Sequence, residues 1–396
     1  MNARALLGSI EKRERMSVVA LLVVAATALL VNALSAPRDR YGPDGETYEL
    51  MGWEAAQADG LFDCDNFAHA YWSPGWVATI GAVYRVTGRE PYWLRGLLVA
   101  VAIATAWLTY RLARRVVRPA AAIAAAALFL FSSLVFRYTV YYQYEVMLAL
   151  LLAVCASLLV DHDRDAVRGL GWRAACAGAA LGWAALISPR VLALLPLAAA
   201  CIWMHGGGRA GGRRSIALSV GVLLVLAPWT WRNHRCYGEW IATTTNGGIN
   251  LYIANNPHAT GSYFLPPADQ RPPHALTDSD AWRREAIAYV LQHPFQTLAR
   301  SIVKAFMFWK PHYGDQVLVL IPFLVGWWRW WRRRPRPLSP AHAWILGAPL
   351  VATAVHMVFF VQVRYMIPVL PLVGVTAAAG IAGFTKTGAT PSNSRI

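Results

Sequence analysis

Residues 18–34 read VVALLVVAATALLVNAL, seventeen positions without one ionisable side chain. As a helix rising 1.5 Å per residue, this stretch covers about 26 Å, close to the hydrocarbon thickness of a bilayer. Lys12, Arg13 and Arg15 precede it. A basic flank and an apolar run also open secretion signals. Here no small-x-small cleavage site follows and more apolar blocks come after it, so the segment reads as a retained first membrane helix.

Working outward, the same pattern recurs along the chain. Ten spans are expected, at Ser17–Ser35, Arg95–Ala113, Ala120–Phe136, Glu145–Val160, Trp172–Ser188, Val191–Met204, Ile216–Trp231, Val317–Trp331, Ala343–Val361 and Met366–Phe384. Composition agrees: 57% of the 396 residues are hydrophobic and 15% are charged, against about 25% charged in soluble domains. The expected fold class is an all-α integral membrane bundle in a single domain. Tyr and Trp collect at the span borders, as at Tyr138, Tyr141, Trp229, Trp231, Trp327 and Trp331, forming an aromatic belt.

The net charge of +16 invites a nucleic-acid reading, and its distribution excludes one. If the N-terminal tail and every second connection lie on one side, that side holds 21 Lys and Arg against five acids. The other side holds 16 of each, so the whole net charge sits on one face. The positive-inside rule makes that face cytoplasmic. A multi-pass plasma (inner) membrane protein with both termini cytoplasmic follows. The basic, aromatic block Trp327–Arg334 ends an apolar span and reads as an interfacial anchor.

Two extracytoplasmic segments, 36–94 and 232–316, are too long for simple connections, and long ordered loops are usually functional. Helical spacing recurs in each, at Tyr48, Met51, Ala55 and Ala58 and at Trp282, Ala286, Tyr289 and Val290. Pro74–Val86 reads as an interfacial helix, and Ser301–Trp309 as another or as half of a re-entrant hairpin. Residues 385–396 are expected to be a disordered tail. Of the five cysteines, Cys155, Cys176 and Cys201 fall in apolar spans. Cys64 and Cys236 fall in the two outer loops, where an oxidising compartment permits a disulfide without requiring one.

Ionisable residues that carry chemistry are sought on this outer side. Asp44 and Glu46, in Asp44-Gly45-Glu46-Thr47-Tyr48, are carboxylates that suit a general base or a divalent cation, or form a solvated loop. Glu145 opens an apolar span after four tyrosines, either partnered in a site or stabilised by the helix dipole. Arg190 and Arg364 each occupy a short connection and suit a phosphate, although a lone arginine there commonly anchors to headgroups. The segment from Arg232 through Asn246 to Asn255 and Asn256 is rich in Asn and Gly, giving tight turns or amides suited to sugar hydroxyls.

In order along the chain, these pieces resemble the polytopic GT-C glycosyltransferases related to protein O-mannosyltransferases and the lipid A aminoarabinose transferases. The resemblance rests on Asp44 with Tyr48, the Ser-Pro-Gly segment at 73–75, Glu145 opening a span, and the Arg190 connection. Pro-Trp-Thr-Trp-Arg-Asn at 228–233, Asn-Gly-Gly-Ile-Asn-Leu-Tyr at 246–252, Asn-Asn-Pro at 255–257 and Arg-Tyr-Met-Ile-Pro at 364–368 complete it. It implies an inverting transferase that moves a sugar from a polyprenyl-phosphate carrier to an extracytoplasmic glycan, lipid or protein.

Carried over, Asp44 is the expected general base or the acid that orients the acceptor, and Glu145 the second acid of the cavity. Glu46 ranks below Asp44, because many relatives place two acids side by side where Gly45 intervenes here. Arg190 and Arg364 are expected on the carrier phosphate. Tyr48, Arg232, Asn246, Asn255 and Asn256 are further expected contacts, with Asp44 and Glu145 the candidates if a divalent metal is used. A lipid-linked donor accounts for the lack of a P-loop or dinucleotide motif. The competing reading is a flippase of lipid-linked glycans; transporters place ionisable groups at mid-bilayer, and the ten spans contain no Lys, Arg, Asp or Glu in their interiors.

Overall fold

The computed structural model describes residues 3–58, 64, 70–160, 170–204, 207–333 and 339–384. The tail expected to be disordered, 385–396, lies outside the described residues. Among the described residues the regular structure is helical, and each expected span falls on helix. The first is the end of α1 (Ala3–Ser35), the second lies in α4 (Pro91–Ala113), and the fourth is α7 (Glu145–Val160). Then follow α8 (Leu170–Ile187), α9 (Leu195–Trp203), α10 (Gly208–Tyr237), α14 (Gly314–Arg333), α15 (Pro340–Val358) and α16 (Leu370–Ala382). Among the described residues, five helices are long and apolar enough to cross a membrane, and others are shorter apolar helices.

Three spans are not the continuous helices expected. Ala120–Phe136 breaks into α5 (Pro119–Leu130) and α6 (Ser133–Tyr138), because Ser132 caps a new helix by accepting from the Leu134 amide at 3.3 Å. The sixth and tenth spans begin instead as 3-10 turns, Pro189–Leu194 and Val363–Val369. Proline lacks the amide an α-helix needs, and both turns contain one. Arg190 and Arg364 sit on these two turns, where the tighter winding carries their side chains to the same end of the bundle.

Glycine governs the contact between α8 and α10. A Cβ on Gly178 of α8 would lie 2.0 Å from the Leu218 carbonyl of α10, and one on Gly221 of α10 would lie 2.0 Å from the Ala175 carbonyl. Only hydrogen fits on either side, and small residues let two membrane helices meet backbone to backbone.

The two long loops are folded. The first contains α2 (Gly45–Gln57) and α3 (Pro74–Thr87), the latter burying Trp76, Val77, Ile80 and Tyr84. The second contains α11 (Gly247–Ala254), α12 (Ser279–Gln292) and α13 (Pro294–Trp309). These pack over a small core of their own, formed by Ile249, Tyr252, Trp282, Phe308, Phe360 and Tyr365. The Ser301–Trp309 segment belongs to α13, one amphipathic helix with Phe295, Leu298, Ile302 and Phe306 exposed along it, rather than half of a hairpin. Cys64 and Cys236 form a disulfide that staples the first long loop to the end of α10.

Candidate active site

Two chain segments are held side by side to form the floor of the site. Arg95, 1% exposed, donates to the carbonyls of Ala36 at 2.9 Å and Pro37 at 2.6 Å, and also to Val140 at 3.1 Å. Its planar fork satisfies carbonyls left over at the end of α1 and in the segment before α7. Tyr142 then donates its amide to the Tyr41 carbonyl at 3.0 Å. Residues 36–44 therefore run beside residues 140–145, which brings both acids to one place.

Asp44 ends the first segment with φ 58°, the left-handed conformation that Asp tolerates better than most residues. Glu145 begins α7, where the helix dipole favours an acid. Between them lies Arg364, which donates Nη2 to Asp44 Oδ2 at 2.7 Å and Nη1 to Gln143 Oε1 at 2.5 Å. Its Nε is 3.2 Å from Glu145 Oε1, in ion-pair contact without hydrogen-bond alignment. The Glu145 side chain is 1% exposed and the Asp44 side chain 44%. One guanidinium thus bridges two acids 101 residues apart in sequence, and it comes from a third stretch 320 residues beyond Asp44.

The site opens into a cavity of about 610 Å³ lined by Asp44, Tyr48, Trp72, Arg190, Asn246 and Arg364 among others. The Arg190 guanidinium lies over the Tyr365 ring at 3.9 Å and donates Nε to Ser188 at 3.3 Å. Among the described residues it forms no carboxylate pair. A narrow apolar slot of about 60 Å³ adjoins the cavity, sharing Tyr144, Ser188, Arg190, Val355 and Tyr365, and continues between Leu148, Leu152 and Leu194. Burial holds the Tyr48 phenol well above its ordinary range and pushes Tyr71 up to about 12, so both present neutral hydroxyls.

Not every expected contact reaches this cavity. Glu46 is exposed on α2 and is not among the lining residues; two positions before Tyr48, it falls on the opposite side of the helix. Arg232 turns away to the Tyr237 hydroxyl at 2.9 Å and the Cys64 carbonyl at 3.2 Å, bracing the disulfide-linked segment. Asn255 donates to the carbonyls of Leu251 and Val358, and Asn256 to that of Tyr252, because both amides close the turn after α11. Asn246 does line the cavity, its Oδ1 accepting from Thr244 at 2.8 Å. Sequence reasoning missed Gln143, Trp72, Tyr263 and Tyr365. Gln143 and Tyr365 each adjoin or nearly adjoin a residue it singled out.

The donor set does not fit a divalent cation. Among the described residues, no three His, Cys, Asp or Glu side chains gather. Arg364 already holds the position between Asp44 and Glu145, so a hard cation with its usual six oxygen ligands would have to displace a guanidinium.

No protein-family model and no curated protein matches the sequence. Solved structures do match. ArnT from Cupriavidus metallidurans bound to undecaprenyl phosphate aligns over 92% of this chain and 60% of its own, with a TM-score of 0.57 and 17% identity. The archaeal oligosaccharyltransferase AglB from Archaeoglobus fulgidus, in complex with an inhibitory peptide and a dolichol-phosphate, aligns over 92% of this chain and 50% of its own. Its TM-score is 0.55 and its identity 12%. The chain spans between half and three fifths of the length of these proteins. It has the membrane-embedded GT-C fold that they share, which is the fold its motifs resemble.

Proposed function

We propose that this protein is an inverting glycosyltransferase that takes a sugar from a polyprenyl-phosphate carrier and passes it to an acceptor outside the cytoplasm. The carrying observation is that Asp44 and Glu145, from separate stretches of chain, share Arg364 on the floor of one cavity that also contains Arg190. The adjoining apolar slot suits the first isoprene units of a lipid carrier.

In this reading Asp44 is the base. Its Oδ1 has no partner among the described residues and remains free to take a proton. The acceptor hydroxyl gives that proton to Asp44 as its oxygen bonds the anomeric carbon. On the opposite side the bond from that carbon to the phosphate oxygen breaks, and the electron pair leaves on the phosphate. Arg190 meets the developing charge with a fixed guanidinium that needs no reorganisation. Arg364 orients Asp44 and balances Glu145. Attack opposite the leaving group inverts the anomeric centre.

The outer-face assignment is supported by three observations. The net positive charge gathers on the opposite side. Glu14, which pairs with Arg114 at 2.6 Å, lies at the far ends of α1 and α4 from the site. The Cys64–Cys236 disulfide lies in the same outer loops as Asp44 and Asn246, and disulfides persist in oxidising compartments.

Asp44→Asn is the direct test. The amide oxygen still accepts from Arg364, so the fold persists, while the base is gone. Transfer from a panel of polyprenyl-phosphate sugars is expected to fall by about 10²- to 10⁴-fold. Turnover within threefold of the parent would remove Asp44 from the chemistry.

A further inference from the structure

Gln143 is wholly buried in the floor of the site, and only half of its carboxamide is used. Its Oε1 accepts from Arg364 Nη1 at 2.5 Å, whereas its Nε2 is buried without a hydrogen-bond partner among the described residues. The end that meets a guanidinium has to be the oxygen, since an NH2 group has no lone pair to offer. A buried donor left unsatisfied is destabilising, so packing alone would favour an apolar side chain of the same length. That cost points to a task for the oxygen other than stability.

The arrangement of the fork indicates the task. Each nitrogen of Arg364 faces its own acceptor. Nε faces Glu145 Oε1 at 3.2 Å, and Nη1 donates to Gln143 and to the Pro43 carbonyl, the latter at 3.3 Å. Nη2 donates to Asp44 Oδ2 at 2.7 Å. Arginine and a carboxylate otherwise tend to pair through two parallel hydrogen bonds, one to each carboxylate oxygen. With Nε and Nη1 engaged elsewhere, Nη2 alone reaches Asp44, and Oδ1 has no partner among the described residues. A neutral acceptor suits this task. A carboxylate at position 143 would be the third on a guanidinium that already faces Asp44 and Glu145.

We propose, on the basis of the transferase reading above, that Gln143 is a positioning residue: it holds Arg364 to one oxygen of Asp44 and so keeps the other for the proton of the acceptor hydroxyl. Without Gln143, Nη1 turns to Oδ1, the fork closes on both oxygens, and the base is occupied.

Gln143→Met keeps the length of the side chain and removes the acceptor. The test uses the full chain in detergent micelles and the polyprenyl-phosphate sugar that the parent uses best. Transfer is read as release of free polyprenyl phosphate, with a membrane extract supplying the acceptor. The kcat is expected to fall at least about 10-fold, the scale of a misplaced reacting group. The KM for the donor and the affinity for bare polyprenyl phosphate should stay within about twofold, because Arg190 is untouched. The unfolding midpoint in dodecyl sulfate should equal or exceed the parent's, because an unsatisfied amide has gone. A residue serving only the fold would lower that midpoint and leave the kcat of the folded protein unchanged. In the Asp44→Asn background, which has no second carboxylate oxygen to protect, Gln143→Met should change the residual rate by less than about twofold.

A kcat within about threefold of the parent, an equal loss in the Asp44→Asn background, or weaker binding of the bare carrier would each overturn the proposal while leaving the transferase reading standing. A parent chain that transfers no sugar of the panel would sink that reading and this inference with it.

Discussion

Replacing Arg364 with Met strands two carboxylates in the floor of the bundle. Glu145 bears the loss, since its side chain is 1% exposed and neither carboxylate oxygen has another hydrogen-bond partner among the described residues. Removing one member of a buried pair costs about 3–5 kcal/mol, because the remaining charge is left uncompensated. Asp44, 44% exposed, can turn to solvent and adds little. Glu145→Gln alone should cost only about 1 kcal/mol, because the Arg364 Nε contact is not an aligned hydrogen bond and Arg364 keeps Asp44. In the double variant the stranded charge is gone, so the two costs should fall short of their sum by about 2 kcal/mol or more. The assay is reversible unfolding of the four proteins in mixed micelles by titration with dodecyl sulfate. Additive costs within about 0.5 kcal/mol would refute the shared guanidinium, and with it the meeting of the two acids.

Other outcomes follow from the same geometry. Treatment with a chelator should leave sugar transfer within twofold of the untreated rate, because a guanidinium sits between the two acids; a loss restored by added Mg²⁺ or Mn²⁺ would contradict this. Under denaturing, non-reducing conditions the chain should show three free thiols, from Cys155, Cys176 and Cys201; a count of five would dissolve the staple between the outer loops. Lys304 on α13 is 1% exposed, and burial lowers its ammonium from 10.5 to about 8. Below pH 8 both the folded and the unfolded chain hold that proton. Between about pH 8 and 10.5 only the unfolded chain does, so stability should rise with pH across that window by roughly 3 kcal/mol. Lys304→Met should flatten the rise, and an equal rise in the variant would assign it elsewhere.

Much of the fold was legible because hydropathy and helical periodicity are local. Glu145–Val160 coincides with α7 at both ends, and the Tyr48 and Trp282 patterns mark helices in the outer loops. The break at Ser132 was hidden because the flanking residues are as apolar as a continuous span, and a single cap decides it. Glu46, Arg232, Asn255 and Asn256 were singled out by residue type, a property that carries no direction. On α2 one residue separates a side chain facing the cavity from one facing water. The amides of Asn255 and Asn256 go to backbone carbonyls that the turn would otherwise leave without donors.

By itself the sequence determined a chain built for lipid, and it set Asp44, Glu145, Arg190 and Arg364 on one expected face. Those follow from composition and order, which need no knowledge of packing. Only the tertiary structure decided that Asp44 and Glu145 meet on Arg364, that Arg190 faces the same cavity without an acid, and that Cys64 reaches Cys236. These are contacts across as many as 320 residues, set by Arg95 drawing two backbone segments together and by two 3-10 turns aiming their cations inward. No periodicity along a chain encodes such a convergence; helix packing alone produces it.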